Sequence, residues 1–222
     1  MGSAPGWATE ARDRAAAALA EMPQLTGTEE EWRFTPPADL GMNGDTATGG
    51  AASGEVSLPA TAGRAARLAF IDGTPAPAEA IDLPEGVIVA ELGEALATHE
   101  DLVRDRLYSL AGFDDRPGAV NAAGWDAGTF VYVPRGVQVE LPVEAILTAT
   151  GATGRVFGRT LVVVEEGAKA TVIDRYLSPD LDGAVHASTV VELFVADGGE
   201  LEHVSVINWG RGVRHQATIR AA

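Results

Sequence analysis

From Trp125 onward the chain alternates apolar and polar positions in short runs that end at regularly placed glycines. Three segments superpose: Phe130-Val131-Tyr132-Val133-Pro134-Arg135-Gly136, Leu161-Val162-Val163-Val164-Glu165-Glu166-Gly167 and Glu192-Leu193-Phe194-Val195-Ala196-Asp197-Gly198. Their terminal glycines are 31 positions apart in both steps. Val131, Val162 and Leu193 fall in one column and Val133, Val164 and Val195 in another; beyond the turn, Val139, Ala170 and Leu201 form a third. The column of Phe130, Leu161 and Glu192 is mixed, as is that of Gln138, Lys169 and Glu200. A strand points successive side chains to opposite faces, so the constant aliphatic columns predict an inner face and the mixed columns an outer one. A glycine at a fixed place permits the tight corner that other residues resist. Recurrence at a fixed period means that each unit stacks on its predecessor and shares its core. The pattern therefore predicts a mainly β fold, with a parallel β-helix over residues 127–222. An antiparallel sandwich or jelly roll also has glycine corners, but its strands recur at about 8–12 residues, a shorter period.

The preceding stretch has a different rhythm. Trp7 to Met22 is rich in Ala, Glu and Arg, with Ala11, Ala15, Ala18, Leu19 and Met22 at helical spacings; Thr9 is its expected cap and Pro23 its end. An arm follows through Glu29 to Pro36, where a buried Trp32 or Phe34 would tether it to the body. Residues 41–63 turn to Gly, Ala, Ser and Thr, which reads as a mobile linker or long loop. Arg67-Leu68-Ala69-Phe70-Ile71 and Val87-Ile88-Val89 predict strands, and Leu92 to Leu110 predicts one amphipathic helix. Pro75, Pro77 and Pro84 keep the segment between those strands out of a sheet centre. The division expected is a helix and linker over 1–64, a small α/β unit over 65–126, and the β-helix over 127–222. The last run, Gln216 to Ile219, is followed by no cap-like helix or polar unit, so the sequence reads as a truncated solenoid.

Composition narrows the chemistry. Apolar residues make up 46% of the 222, enough for a packed core, and aromatics only 6%. The net charge of −16 opposes phosphate backbones and anionic lipid surfaces, so neither nucleic acid nor membrane is an expected partner. No run reaches the roughly 18 apolar residues of a membrane span, and Met1 to Trp7 shows no secretory pattern; a cytoplasmic location is the expectation. The chain has no cysteine, which removes thiolate ligands, disulfides and cysteine nucleophiles together.

Several segments together resemble the SufB/SufD family of SUF iron–sulfur cluster assembly scaffolds. They are Asn121-Ala122-Ala123, Gly128 to Val137 with its Phe-Val-Tyr-Val-Pro-Arg-Gly core, Glu140-Leu141-Pro142, and Arg159-Thr160-Leu161-Val162-Val163-Val164-Glu165-Glu166-Gly167-Ala168. Glu31-Trp32-Arg33-Phe34-Thr35 is similar to a Trp-containing element of the SufD branch, and the lack of cysteine fits that branch better than SufB. The resemblance implies a right-handed parallel β-helix, here the N-terminal part of a longer protein that lacks catalysis of its own. It also implies partnership with a SufB-like paralogue and a SufC-like ATPase, and an iron–sulfur cluster held transiently by the whole complex. In the family, the ATPase-docking helices, the paralogue contact and the cluster-related Cys or His lie in the later half. None of those positions is carried onto this chain, and the stretch alone is expected to be inactive.

The remaining constellations are thin. His99 reads as a solvated helix residue, His186 precedes a strand, and the 31-residue register puts His203 in a column with Leu141 and Val172. Metal ligation by His203 with Glu202 or His215 is chemically conceivable, but no close His pairing supports it, and no metal ligand is assigned. Glu165-Glu166 and Asp114-Asp115 are turn carboxylates, not a convergent acid–base pair. There is no Gly-x-Ser-x-Gly elbow and no P-loop, so no catalytic residue is assigned and cofactor-binding residues stay unknown. Trp125 and Trp209 read as packing residues. A β-helix polysaccharide lyase or hydrolase using Arg155, Arg159, Lys169 and Arg175 is the alternative enzyme reading, and a generic β-stack interaction module is a third.

Overall fold

The structure, a computed structural model, describes residues 4–44, 47–52, 54–60, 62–80 and 82–222. In chain order it contains α1 (Gly6–Glu21), β1 (Ala66–Ile71), β2 (Thr74–Pro75), β3 (Glu79–Ala80), β4 (Ile88–Glu91), α2 (Leu92–Thr98), α3 (Glu100–Val103) and α4 (Arg116–Gly124). Seven longer strands follow: β5 (Ala127–Val133), β6 (Val143–Thr148), β7 (Arg155–Val164), β8 (Lys169–Leu177), β9 (Val185–Val195), β10 (Glu200–Asn208) and β11 (Val213–Ala221). Odd and even strands of this series separate into two sheets, ordered β11-β9-β7-β5-β4 and β10-β8-β6-β1-β2, with β3 also on β1. Within each sheet the solenoid strands pair in parallel, and β2, β3 and β4 add antiparallel at the other edge. The fold is a mainly β parallel solenoid of about three turns with a few N-terminal helices.

The 31-residue register holds in hydrogen bonds. Val131 pairs with Val162 and Val162 with Leu193, and the same spacing joins Ala170 to Leu201. Gly136, Gly167 and Gly198 sit at the same corner with φ of 73°, 65° and 67°, a conformation that costs other residues about 1–2 kcal/mol. The inner columns pack between the sheets as a core that includes Val131, Val133, Val162, Val164, Val143 and Val172. The register slips in two places. Gln138 bridges Lys169 at 31, but Val143 pairs with Val172, so two residues loop out around the exposed Leu141 and the half-buried Pro142. His203 consequently stacks over Val172 and Val143, and not over Leu141 as the uniform period predicted. Val185 pairs with Val213, three short of the period, because the corner at 209–212 is compact.

The mixed column of Phe130, Leu161 and Glu192 does face away from the lumen, yet all three are fully buried. Leu92, Leu96, Val103 and Trp125, from α2, α3 and the end of α4, cover that outer face and form a second core with Phe130, Leu161 and Val163. The predicted single helix over 92–110 is two short helices broken at His99 (φ −135°, ψ 40°), followed by turns. The helix α4 was not anticipated; its start signal is Asp115, whose side chain accepts from the Gly118 amide at 2.7 Å, with Pro117 in the first turn. Thr9 does not cap α1: Pro5 occupies that position, and Ala8, Ala11 and Ala15 are the buried stripe. β1, read as part of a separate α/β unit, is the first parallel rung beside β6.

Within the Gly- and Ala-rich stretch expected to be a mobile linker or long loop, residues 47–52 lie against the corner opposite the three glycines. Gly49 and Gly50 donate to Ala184 and Gly151 oxygens, and Asp182 donates to Ala51, each at 3.1 Å. A Cβ on Gly154 would lie 1.6 Å from the Ala47 oxygen, and one on Gly183 would lie 1.7 Å from the Gly49 oxygen. Backbone meets backbone there, and only glycine fits. Trp32 tethers the arm by packing on the outer core, whereas Phe34 is 84% exposed.

Candidate functional site

Two buried polar clusters lie on opposite faces of the odd-numbered sheet. On the outer face, Glu192 of β9 takes the column position that Phe130 and Leu161 fill in earlier turns. Its Oε1 accepts from the amides of Leu110 (3.0 Å) and Ala111 (3.1 Å). Oε2 accepts from the Tyr108 amide at 3.0 Å and from Arg159 Nη2 at 2.7 Å. Arg159, on β7, also donates to the Ala111 oxygen and to Asn121 Oδ1, and lies 4.3 Å from the Tyr108 ring centre. Asn121 passes the connection on, donating to the Gly158 and Ser188 oxygens. Tyr108 adopts φ +69°, a left-handed conformation for a bulky residue, and its hydroxyl accepts from Trp125 Nε1 at 2.8 Å. That backbone turn wraps three amides around one carboxylate. The ion pair is fully enclosed, so its value lies in fixing the helical cover to the sheet, and breaking it strands a charge.

Inside the lumen, Asp174 of β8 accepts from Thr160 Oγ1 at 3.1 Å and sits 2.8 Å from His203 Nε2. One strand further, His215 Nε2 is 2.8 Å from Thr189 Oγ1. Tyr176 packs on His215 and stacks on Trp209, with ring centres 5.1 and 5.8 Å away. Burial, and then the Asp174 charge, push the Tyr176 phenol well above its ordinary range. Burial holds the His215 imidazole down at about 4, so it is neutral near pH 7. A cavity of about 20 Å³ opens beside Thr129, Thr160, Asp174, Tyr176 and Thr189, where Ala127, Ala145 and Gly158 leave space; that is room for one water with several polar partners.

The other residues singled out in the sequence do not converge. His203 points into the lumen, while its neighbour Glu202 points out to Thr171, since adjacent strand residues face opposite ways. Among the described residues no group of three or more His, Asp or Glu is placed to hold a metal ion. His99 is half-buried, with its ring 6.2 Å from that of Phe130. His186 is buried beneath Gly41. Glu165 and Glu166 form turn ion pairs with Arg106 and Arg135. Arg159 and Arg155 lie on one sheet and Arg175 and Lys169 on the other. Three of these four cations hold carboxylates already, in the Arg159–Glu192, Arg175–Glu144 and Lys169–Glu200 pairs. No cationic groove for an acidic sugar chain forms from them. Trp125 is a buried packing residue with Arg12 stacked 4.4 Å from its ring centre. Sequence reasoning missed Glu192; the signal was a carboxylate in a column otherwise held by Phe130 and Leu161.

Comparison with known proteins bears on the same residues. The SufBD protein N-terminal region matches residues 69–145, and the SufBD core domain of SUF system FeS cluster assembly matches residues 146–222. Iron-sulfur cluster assembly protein SufB of Bacillus subtilis (strain 168) is 31% identical over 137 residues, 61% of this chain and 30% of that protein. An iron-sulfur cluster assembly SufBD family protein of Staphylococcus epidermidis (strain ATCC 12228) is 28% identical over the same shares, as is one of Staphylococcus aureus (strain MRSA252). The match thus spans about a third of the length of these relatives. No helix among the described residues is long and apolar enough to cross a membrane. With consecutive N-terminal and core regions matched along a single parallel solenoid, the chain belongs to the SufB/SufD family.

Proposed function

We propose that this chain is part of a non-catalytic, SufD-like scaffold subunit of a cytoplasmic SUF complex, acting with a SufB-like paralogue and a SufC-like ATPase. The observation that carries the reading is the unbroken run of the two SufBD regions over residues 69–222 of one solenoid. Two features support it. The polar groups that could do chemistry are engaged in structural pairs: Glu192 with Arg159, Asp174 with His203 and Thr160. The chain also offers no thiolate, so a nascent iron–sulfur cluster would find its sulfur ligands on partner subunits or elsewhere in the complex. The SufD-like assignment rests on that absence and on the Glu31 to Thr35 element.

Affinity capture of the protein from its native host, followed by mass spectrometry, tests the proposal. Recovery of an ABC-type ATPase together with a cysteine-bearing paralogue of the same fold is the expected result. Recovery of neither, under conditions that preserve other multi-subunit complexes, rejects it.

A further inference from the structure

A cleft of about 520 Å³ lies between α1, α4, the glycine-rich strap and the start of β7. Its apolar walls come from Leu19, Val120 and Phe157, and two nitrogen-bearing side chains, Arg155 and His186, border it. The volume falls in the range of small-molecule sites, which combine an apolar body with a few placed polar groups. Arg64, Arg67, Arg135 and Arg211 each hold a carboxylate. Arg155, at the exposed mouth of the cleft, makes no side-chain hydrogen bond or ion pair among the described residues, and its guanidinium carbon lies 5.2 Å from the Phe157 ring centre.

Two glycines make room for those side chains. A Cβ on Gly124 would come within 3.0 Å of Arg155 Nη1 and 3.1 Å of Phe157, and one on Gly41 within 2.3 Å of His186 Nδ1. Gly124 ends α4 and does not have positive φ, so its backbone does not require glycine; a methyl there would press on the guanidinium and the Phe157 ring, each of which would have to give by a few tenths of an ångström. Asp126 lies near enough to feel the Arg155 charge, but its Oδ1 accepts from the Phe157 amide at 3.4 Å and no hydrogen bond or ion pair joins it to the guanidinium. A guanidinium held near a ring face, with no carboxylate on its donors, can still offer them as a fork to an incoming carboxylate.

We propose that this cleft binds a small organic carboxylate with a flat apolar body, its acid on Arg155 and its body against Phe157, Leu19 and Val120. The inference is independent of the scaffold reading, since it rests on the cleft alone. Benzoate is the probe, followed by amide ¹H–¹⁵N shifts of the purified chain. The expected result is saturable shifts at Gly124, Gly154 and Phe157, with a dissociation constant on the order of 1 mM. Arg155→Gln should weaken binding by about tenfold or more, the loss of a charge-assisted fork. Gly124→Ala, which crowds the guanidinium without straining the helix end, should weaken it severalfold while the melting temperature is kept. Arg135→Gln, a distant cation, should change nothing. No saturable shifts, an unchanged affinity in Arg155→Gln, or equal binding of benzamide would each overturn the proposal. Equal binding of inorganic phosphate would overturn its apolar half.

Discussion

Glu192 and Asp174 are both enclosed carboxylates, yet they are satisfied by different kinds of partner. Glu192 receives three backbone amides and a guanidinium, delivered by a turn between the helices and by the neighbouring strand. Asp174 receives only side chains, Thr160 and His203, from strands packed around the lumen. Backbone donors cannot rotate away, so the first carboxylate fixes a chain path, including the left-handed Tyr108. Side-chain donors can turn or be substituted, so the second is an adjustable joint between turns. The outer cluster is a fastening and the inner one a lining.

That contrast can be broken experimentally. Glu192→Ala leaves Arg159 and three amides buried without their acceptor and should cost about 3–5 kcal/mol, read by urea denaturation. If the loss were under about 1 kcal/mol, the fastening role would fail. The lumen answers to acid instead. His215 is held down at about 4 against an ordinary 6.5, so the unfolded chain takes up its proton first as pH falls. The stability it contributes is complete above pH 6.5, declines between about 6.5 and 4, and is level below, a loss of at most about 3 kcal/mol. Comparing the wild type with His215→Gln isolates this from other titrations: the difference between them should shrink by that amount across the window, and a constant difference contradicts it. Asp174→Asn keeps the shape and removes the charge, and should cost about 2 kcal/mol in the same assay at pH 7. Gly167→Ala sets the scale. It strains one corner with nothing else within 4 Å, and about 1 kcal/mol is expected.

Much of the solenoid was legible because its signal is repeated. Three glycines in one register, and aliphatic columns on either side, are dictated by a corner that needs positive φ and a lumen that excludes water. What escaped was whatever depends on a second layer. The column of Phe130, Leu161 and Glu192 looked mixed and therefore wet, but its variation reflects what the helices bring to it, apolar residues at two turns and amides at the third. The loop-out near Leu141 shifted the expected partner of His203, since a uniform period cannot reveal a local insertion. The glycines of the strap were read as freedom, whereas Gly49 and Gly50 lie directly against the backbone of Gly151 and Gly183. Composition is the same for both uses; only the partner distinguishes them. The Arg155 cleft had no sequence signal at all, because its walls are drawn from five separate stretches of the chain.

The strap has a temporal consequence. Residues 47–52 leave the ribosome early, but their backbone partners at 151–154 and 181–184 are made more than a hundred residues later. At about 5–20 residues per second, that segment waits on the order of ten seconds for its binding surface to exist. The strap is therefore among the last parts to settle, closing over turns that have already stacked, and its lack of any apolar side chain larger than alanine keeps it from finding other company meanwhile.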